Sequence, residues 1–164
     1  IASGRSIAGI RKNVAKIQLE KYGGYVIAYN GTTVVNCKTG ECIYNQMVPG
    51  EILSQVYNEA VKSGVSIAVY NDAAKEIIVG NGLNKYVEFD AVACDVAVKE
   101  SNDFVKTVNF GFNKILLSGE PDNMKNVEKH MLEMYFVQTL ILLNFFQNML
   151  TRELPLKNLC VTLA

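Results

Sequence analysis

Ile1-Ala2-Ser3-Gly4-Arg5, then Ile7, Ile10, Val14 and Ile17 at steps of three, four and three, then Tyr25-Val26-Ile27-Ala28-Tyr29-Asn30-Gly31: this ordered stretch decides the fold. The first five residues read as a strand end passing into a loop. The spaced isoleucines and valine bury one stripe of a helix, which Gly23-Gly24 breaks. Tyr25 to Tyr29 is a near-continuous apolar run, which predicts a strand covered on both faces. Strand end, helix and buried strand make the second half of a βαβ unit, so the chain belongs to the α/β class.

Beyond Asn30-Gly31 the texture changes. Thr32 to Cys37 and Glu41 to Tyr44 are short β-rich runs around Lys38-Thr39-Gly40, which predicts a hairpin. Pro49 opens a helix with Ile52, Leu53, Val56, Tyr57, Ala60 and Val61 apolar, and Gly64 closes it. Val65 to Tyr70 and Glu76 to Val79 read as strands, and residues 84 to 96 read as helical. Asn113 to Ser118 reads as a strand. From Pro121 a further helix carries Met124, Val127, Met131 and Met134 on one face. An α+β module is therefore expected from residue 32 onward.

The chain has 164 residues, with 16 Lys or Arg against 16 Asp or Glu, so its formal net charge is zero. No basic excess exists to bind nucleic acid or an anionic membrane surface. With 49% hydrophobic and 20% charged residues the composition is that of a folded chain. The most apolar stretch, Phe136 to Leu150, is interrupted by Gln138, Thr139, Asn144, Gln147 and Asn148, and falls short of the roughly 20 residues a membrane span needs. No secretory signal pattern opens the sequence, so the expected location is cytoplasmic. Residue 1 is Ile rather than Met, which makes the chain a candidate fragment.

Cys37, Cys42, Cys94 and Cys160 form no Cys-x-x-Cys pair, and no zinc site is expected from them. His130, the single histidine, follows the charged residues Glu128 and Lys129 on a predicted helix and is expected at the surface. No Gly-rich phosphate loop or nucleophile elbow occurs. Two small clusters remain. Ser3-Gly4-Arg5 lies at the carboxyl end of a strand, where ligands bind in open α/β sheets. A Ser hydroxyl beside free backbone N–H groups at a helix start suits a phosphate oxygen. Asn30-Gly31 ends the next strand, on the same rim. The plainer alternative is an N-cap at Ser3 or Ser6 and a turn at Asn30-Gly31.

In this order, Ile-Ala-Ser-Gly-Arg, the helix, Tyr-Val-Ile-Ala-Tyr-Asn-Gly and the hairpin with Lys-Thr-Gly-Glu resemble the Cof-type branch of the haloacid dehalogenase (HAD) superfamily. Asn84-Lys85-Tyr86-Val87-Glu88 and Lys114-Ile115-Leu116-Leu117-Ser118-Gly119-Glu120-Pro121 are similar to segments of that family's mobile cap. The resemblance covers roughly residues 1 to 134. It implies a partial HAD-like Rossmannoid core element at 1–31, an α+β (C2-type) cap domain at 32–135, and a tail at 136–164. It implies that Ser3 holds the transferring phosphoryl group, that Gly4 and Arg5 follow it in the same phosphate-binding motif, and that Asn30 and Gly31 sit at the core–cap junction beside the substrate cleft. Tyr44, Tyr70 and Asn71 are candidates for facing that cleft. The implied reaction is magnesium-dependent dephosphorylation of small phosphorylated metabolites such as sugar phosphates, through an aspartyl-phosphate.

The sequence departs from the family in two places. The Asp-x-Asp-Gly motif that supplies the nucleophile is absent, and so are the later metal carboxylates. Hence no catalytic or metal residue is assigned, Mg2+ is expected only in a full-length parent, and this chain alone is expected to be inactive. The family's third-motif lysine segment is also missing after the cap. Read as codons shifted back by one nucleotide, the stretch that follows Phe136 can spell S-D-S-Y-F-I-E-F-F-P-K-Y-V-D-K-G-T-A-L-K, which restores that segment. The tail from about residue 136 is therefore expected to be an out-of-frame translation, a reading the codons themselves decide. Two other readings stand beside this one. One is a non-catalytic α/β module that binds a ligand or partner. The other is an unrelated α/β protein whose hairpin 32–44 packs on the main sheet.

Overall fold

A computed structural model of the chain describes residues 1–130. The expected tail at 136–164 lies outside the described residues, as do Met131 and Met134. Within them, helix α1 (Ile7–Lys16) and the single turn α2 (Leu19–Tyr22) precede strand β1 (Tyr25–Ala28). Ser6 caps α1, its side chain accepting a hydrogen bond from the Gly9 N–H. Ile10 and Val14 form the buried stripe of α1. Ala2 pairs with Ile27 in a parallel bridge, closed by Ile27 N–H donating to the Ile1 carbonyl and Ser3 N–H donating to the Ile27 carbonyl, both at 2.8 Å. A strand end running parallel to β1, with α1 between them, is the predicted half of a βαβ unit.

A 3-10 turn (Tyr29–Gly31) then reverses the chain into β2 (Thr33–Asn36), which continues into β3 (Cys42–Asn45). All three strands form one antiparallel sheet in the order β1-β2-β3. The division expected at residue 31 therefore falls inside a sheet. The physical reason is the turn. Tyr29, Asn30 and Gly31 all have positive φ (49°, 57° and 101°), which folds the chain straight back along β1.

The second sheet begins after Pro49. Helix α3 (Gly50–Ser63) leads into β4 (Ser66–Asn71) and β5 (Glu76–Gly80), then α4 (Lys85–Cys94), β6 (Ala97–Glu100), the one-turn α5 (Phe104–Thr107) and β7 (Ile115–Ser118). Residues 121–130 are helical. The strand order is β6-β5-β4-β7, with β5–β6 parallel and the other pairs antiparallel. Successive side chains of β4 and β5 point to opposite faces, and each face has its own core. Ile67, Val69 and Ile78 pack with Leu53, Val56 and Ala60 of α3, with Phe104, and with Val127. Ala68, Tyr70, Ile77 and Val79 pack with Val87, Ala91 and Cys94 of α4, and with Ile10, Val14, Val26, Ala28 and Tyr29. This second core joins the two sheets.

Strand β1 departs from expectation. Its residues alternate between exposed and buried, with Tyr25 and Ile27 half-open to solvent. The continuous apolar run predicted cover on both faces, but among the described residues the core lies on one face only. Strand β4 is the element buried from end to end, apart from Asn71.

Candidate phosphate-binding site

Four backbone features build the candidate site. Strand end Ile1–Ser3 is fixed against β1 by the parallel bridge. The Arg5 carbonyl accepts from Tyr29 N–H at 3.0 Å, and the Ser3 carbonyl accepts from Asn30 N–H at 3.2 Å. These two bonds bring Ser3-Gly4-Arg5 and Asn30-Gly31 onto one rim. Because Ser6 is the helix cap, Ser3 is left outside the helix. Its Oγ accepts from the Arg5 N–H at 3.1 Å, which leaves its own O–H free to donate. Gly4 has no room for a side chain, since a Cβ there would collide with Asn30 Oδ1. Asn30 holds a left-handed backbone (φ 57°, ψ 28°), which Asn tolerates better than most residues. The Arg5 side chain is exposed and, among the described residues, is in no ion pair.

Tyr29 anchors this rim to the second sheet. Its ring is buried and lies edge-on to Tyr70, with centroids 6.2 Å apart at 62°. Its hydroxyl donates to Asp72 Oδ2 at 2.7 Å. Tyr70 is also buried, and its hydroxyl donates to Asp90 and touches Cys94 Sγ. Burial, and next the Asp72 carboxylate, push the Tyr29 phenol well above the usual tyrosine range. Burial, and next the hydrogen bond to Asp90, do the same to Tyr70.

Tyr70 therefore faces the core and not a cleft, contrary to expectation. Asn71 is used locally, its Oδ1 accepting from the Ala74 N–H. Tyr44 is partly exposed on β3 and donates to Gln46 Oε1 at 2.8 Å. His130 lies at the surface, with Nδ1 3.5 Å from Glu59 Oε2. Cys37, Cys42 and Cys94 are free thiols. One residue near the rim carried no role in the sequence reading. Lys114, at the start of the β7 segment, places Nζ 3.5 Å from the Gly4 carbonyl. Two concavities on the surface lie elsewhere, one along Val14 to Lys21 and one between Tyr57 and Asn102.

The described residues do not fit a magnesium ion. Among the described residues no group of three or more His, Cys, Asp or Glu side chains converges on a metal position. The arrangement offers hydroxyl, guanidinium and ammonium groups, which suits an anion.

A family model described as haloacid dehalogenase-like hydrolase matches residues 1–151. The chain belongs to the haloacid dehalogenase-like hydrolases. Solved structures agree on the fold. A haloacid dehalogenase-like hydrolase from Bacteroides thetaiotaomicron is 29% identical with a TM-score of 0.74, over 80% of this chain and 48% of that one. The HAD subclass IIB sugar phosphatase BT4131 is 21% identical with a TM-score of 0.59, over 77% of this chain and 47% of that one. TM0651 from Thermotoga maritima is 22% identical with a TM-score of 0.60, over 82% and 48%. The chain thus spans about half the length of these structures. No curated protein matches it. The Cof-type motif order and the mixed α/β architecture read from the sequence agree with this family membership.

Proposed function

We propose that this chain carries the phosphate-holding element of a HAD phosphatase of Cof type, acting on small phosphorylated metabolites such as sugar phosphates. One observation carries the reading. The Ser3–Arg5 loop and the Asn30-Gly31 turn, 25 residues apart in sequence, are bonded into one rim at the carboxyl end of two parallel strand segments. In that reading the Ser3 hydroxyl donates to a phosphoryl oxygen, Arg5 supplies charge at the mouth, and Asn30 shapes the entrance. Residues of the second sheet form a cap over the substrate, with Pro49 rather than residue 31 as the hinge side of the boundary. The sugar phosphatase among the structural neighbours supports the substrate class. In an enzyme of this type an aspartate would be the nucleophile, forming an aspartyl-phosphate. The chain itself contains no Asp-x-Asp pair, so it binds phosphate without turning over a phosphoester.

The test is a titration of inorganic phosphate into the 164-residue chain, followed by amide chemical shifts. Saturable shifts at Ser3, Gly4, Arg5 and Asn30 are expected. Ser3→Ala should weaken binding by about 1 kcal/mol, the worth of one hydrogen bond, without changing the thermal midpoint. Shifts absent from this rim would sink the reading. Magnesium-dependent hydrolysis of a generic phosphoester by the chain alone would show that a nucleophile lies within it.

A further inference from the structure

Lys114 is half-buried, yet among the described residues it is in no ion pair. Among the described residues, the one hydrogen-bond contact of its ammonium is the Gly4 carbonyl at 3.5 Å. That is long for an ammonium donor, whose charge-assisted bonds run at about 2.7–2.9 Å. The ammonium is therefore held over the Ser3–Arg5 loop with its donors largely unspent. A half-buried cation without a counter-charge is costly, and an anion seated between it and the loop removes that cost.

The position of Lys114 is built into the fold. Its neighbour Asn113 donates from Nδ2 to Asn45 Oδ1 at 2.6 Å and to the Gln46 carbonyl at 2.8 Å. Two residues on, Val48 N–H donates to the Phe112 carbonyl at 2.8 Å. On the other side, Ile115 enters β7 and pairs with Val69 of the buried strand β4. The segment 112–115 is thus clamped between the linker that leaves the first sheet and the centre of the second. Lys114 projects from that clamp to the loop of the first sheet.

We propose that Lys114 is an anion-binding residue that closes the phosphate site from the second sheet. The proposal rests on the reading of the Ser3–Arg5 loop as the phosphate site. The ligand chemistry is a phosphate monoester or inorganic phosphate. The ammonium contributes a point charge with three donors on the side of the anion opposite Ser3, so the two sheets grip the same group.

Inorganic phosphate titrated into the full chain distinguishes the two claims. The amide of Lys114 should shift with those of Ser3, Gly4 and Arg5. Lys114→Met and Lys114→Gln should each bind phosphate about tenfold more weakly, the worth of one charge-assisted hydrogen bond. Lys114→Arg should restore most of the affinity, and none of the three should lower the thermal midpoint measured without phosphate. If Ser3→Ala weakens binding while Lys114→Met and Lys114→Gln do not, the loop reading stands and the Lys114 proposal falls. A loss in Lys114→Met that Lys114→Gln fails to reproduce also overturns it, because the removed charge is then not the cause. If no variant shows saturable shifts, both claims fail together.

Discussion

Tyr29 and Tyr70 show how a single side-chain atom can set a pH limit. Both phenols are buried against carboxylates and held above the ordinary tyrosine range, burial being the larger cause. In the unfolded chain they ionise near the ordinary value of about 10. A raised folded pKa means that this contribution is fully present below pH ~10 and is lost as pH rises above it, because only the unfolded state releases the protons. Stability should be flat with respect to these two groups at neutral pH. Above pH ~10 it should fall by up to about 1.4 kcal/mol per pH unit for each tyrosine. Urea denaturation across pH 8 to pH 11 checks this. Tyr29→Phe and Tyr70→Phe should each lower stability at neutral pH by leaving a carboxylate without its donor, and should each flatten the alkaline slope. An unchanged slope in both variants would show that the phenols titrate normally. Sequence reading could not reach this pair: Tyr70 was a candidate for facing the cleft, and it is packing against α4 and Tyr29 that buries it. Lys114 was equally invisible, since its partner is 110 residues away.

Among the elements, those with a strong apolar period were legible. Helices α1 and α3, strands β4, β5 and β7 and the β2–β3 hairpin occur where the periodicity or turn residues placed them, and α4 lies within residues 84 to 96, which were read as helical without an apolar period to mark them. The elements missed were β6 and α5. All four residues of β6 are exposed, so it shows no inside–outside alternation, and it exists because β5 offers it a parallel edge. Helix α5 is one turn anchored by the buried Phe104. Asn84 is the residue on which several elements depend together. Its Oδ1 caps α4 by accepting from the Tyr86 and Val87 N–H groups, at 3.0 and 3.1 Å. Its Nδ2 donates to Ser66 Oγ on β4 and to the Ser118 carbonyl on β7, at 2.9 and 3.1 Å. Asn84→Ala removes the cap and leaves the buried Ser66 and Ser118 groups short of a partner. It should destabilise the chain by about 2 kcal/mol in chemical denaturation. Asn84→Asp keeps the cap acceptor and loses the donor, so it should fall between the two.

At the scale of the whole molecule, residue 31, where a core element was expected to give way to a cap, lies between two strands of one sheet, β1 and β2. Composition shifts after Asn30-Gly31, and that shift marks a change from parallel to antiparallel pairing, not a change of sheet. The three-residue turn could not be recognised as a reversal from its letters, because only the backbone angles of Tyr29, Asn30 and Gly31 carry that information. The meeting of Ser3-Gly4-Arg5 with Asn30-Gly31 on one rim was legible because the two segments each end a strand segment of the same sheet.

The uneven cover of the strands sets the order in which their amides meet solvent. Strand β4 has paired neighbours on both sides and apolar cover on both faces. Strand β3 is an edge strand whose four residues are all exposed. Amide protons of Ile67 to Val69 should therefore exchange with deuterium only when the whole chain opens, and those of β3 should exchange through local fraying. Equal exchange rates in the two strands would contradict this. The candidate phosphate loop sits between these extremes, bonded on one side to the half-covered β1 and approached on the other by Lys114 from the protected sheet. A bound anion would then slow exchange at the loop without altering β4, drawing a half-protected segment towards the slow-exchanging centre.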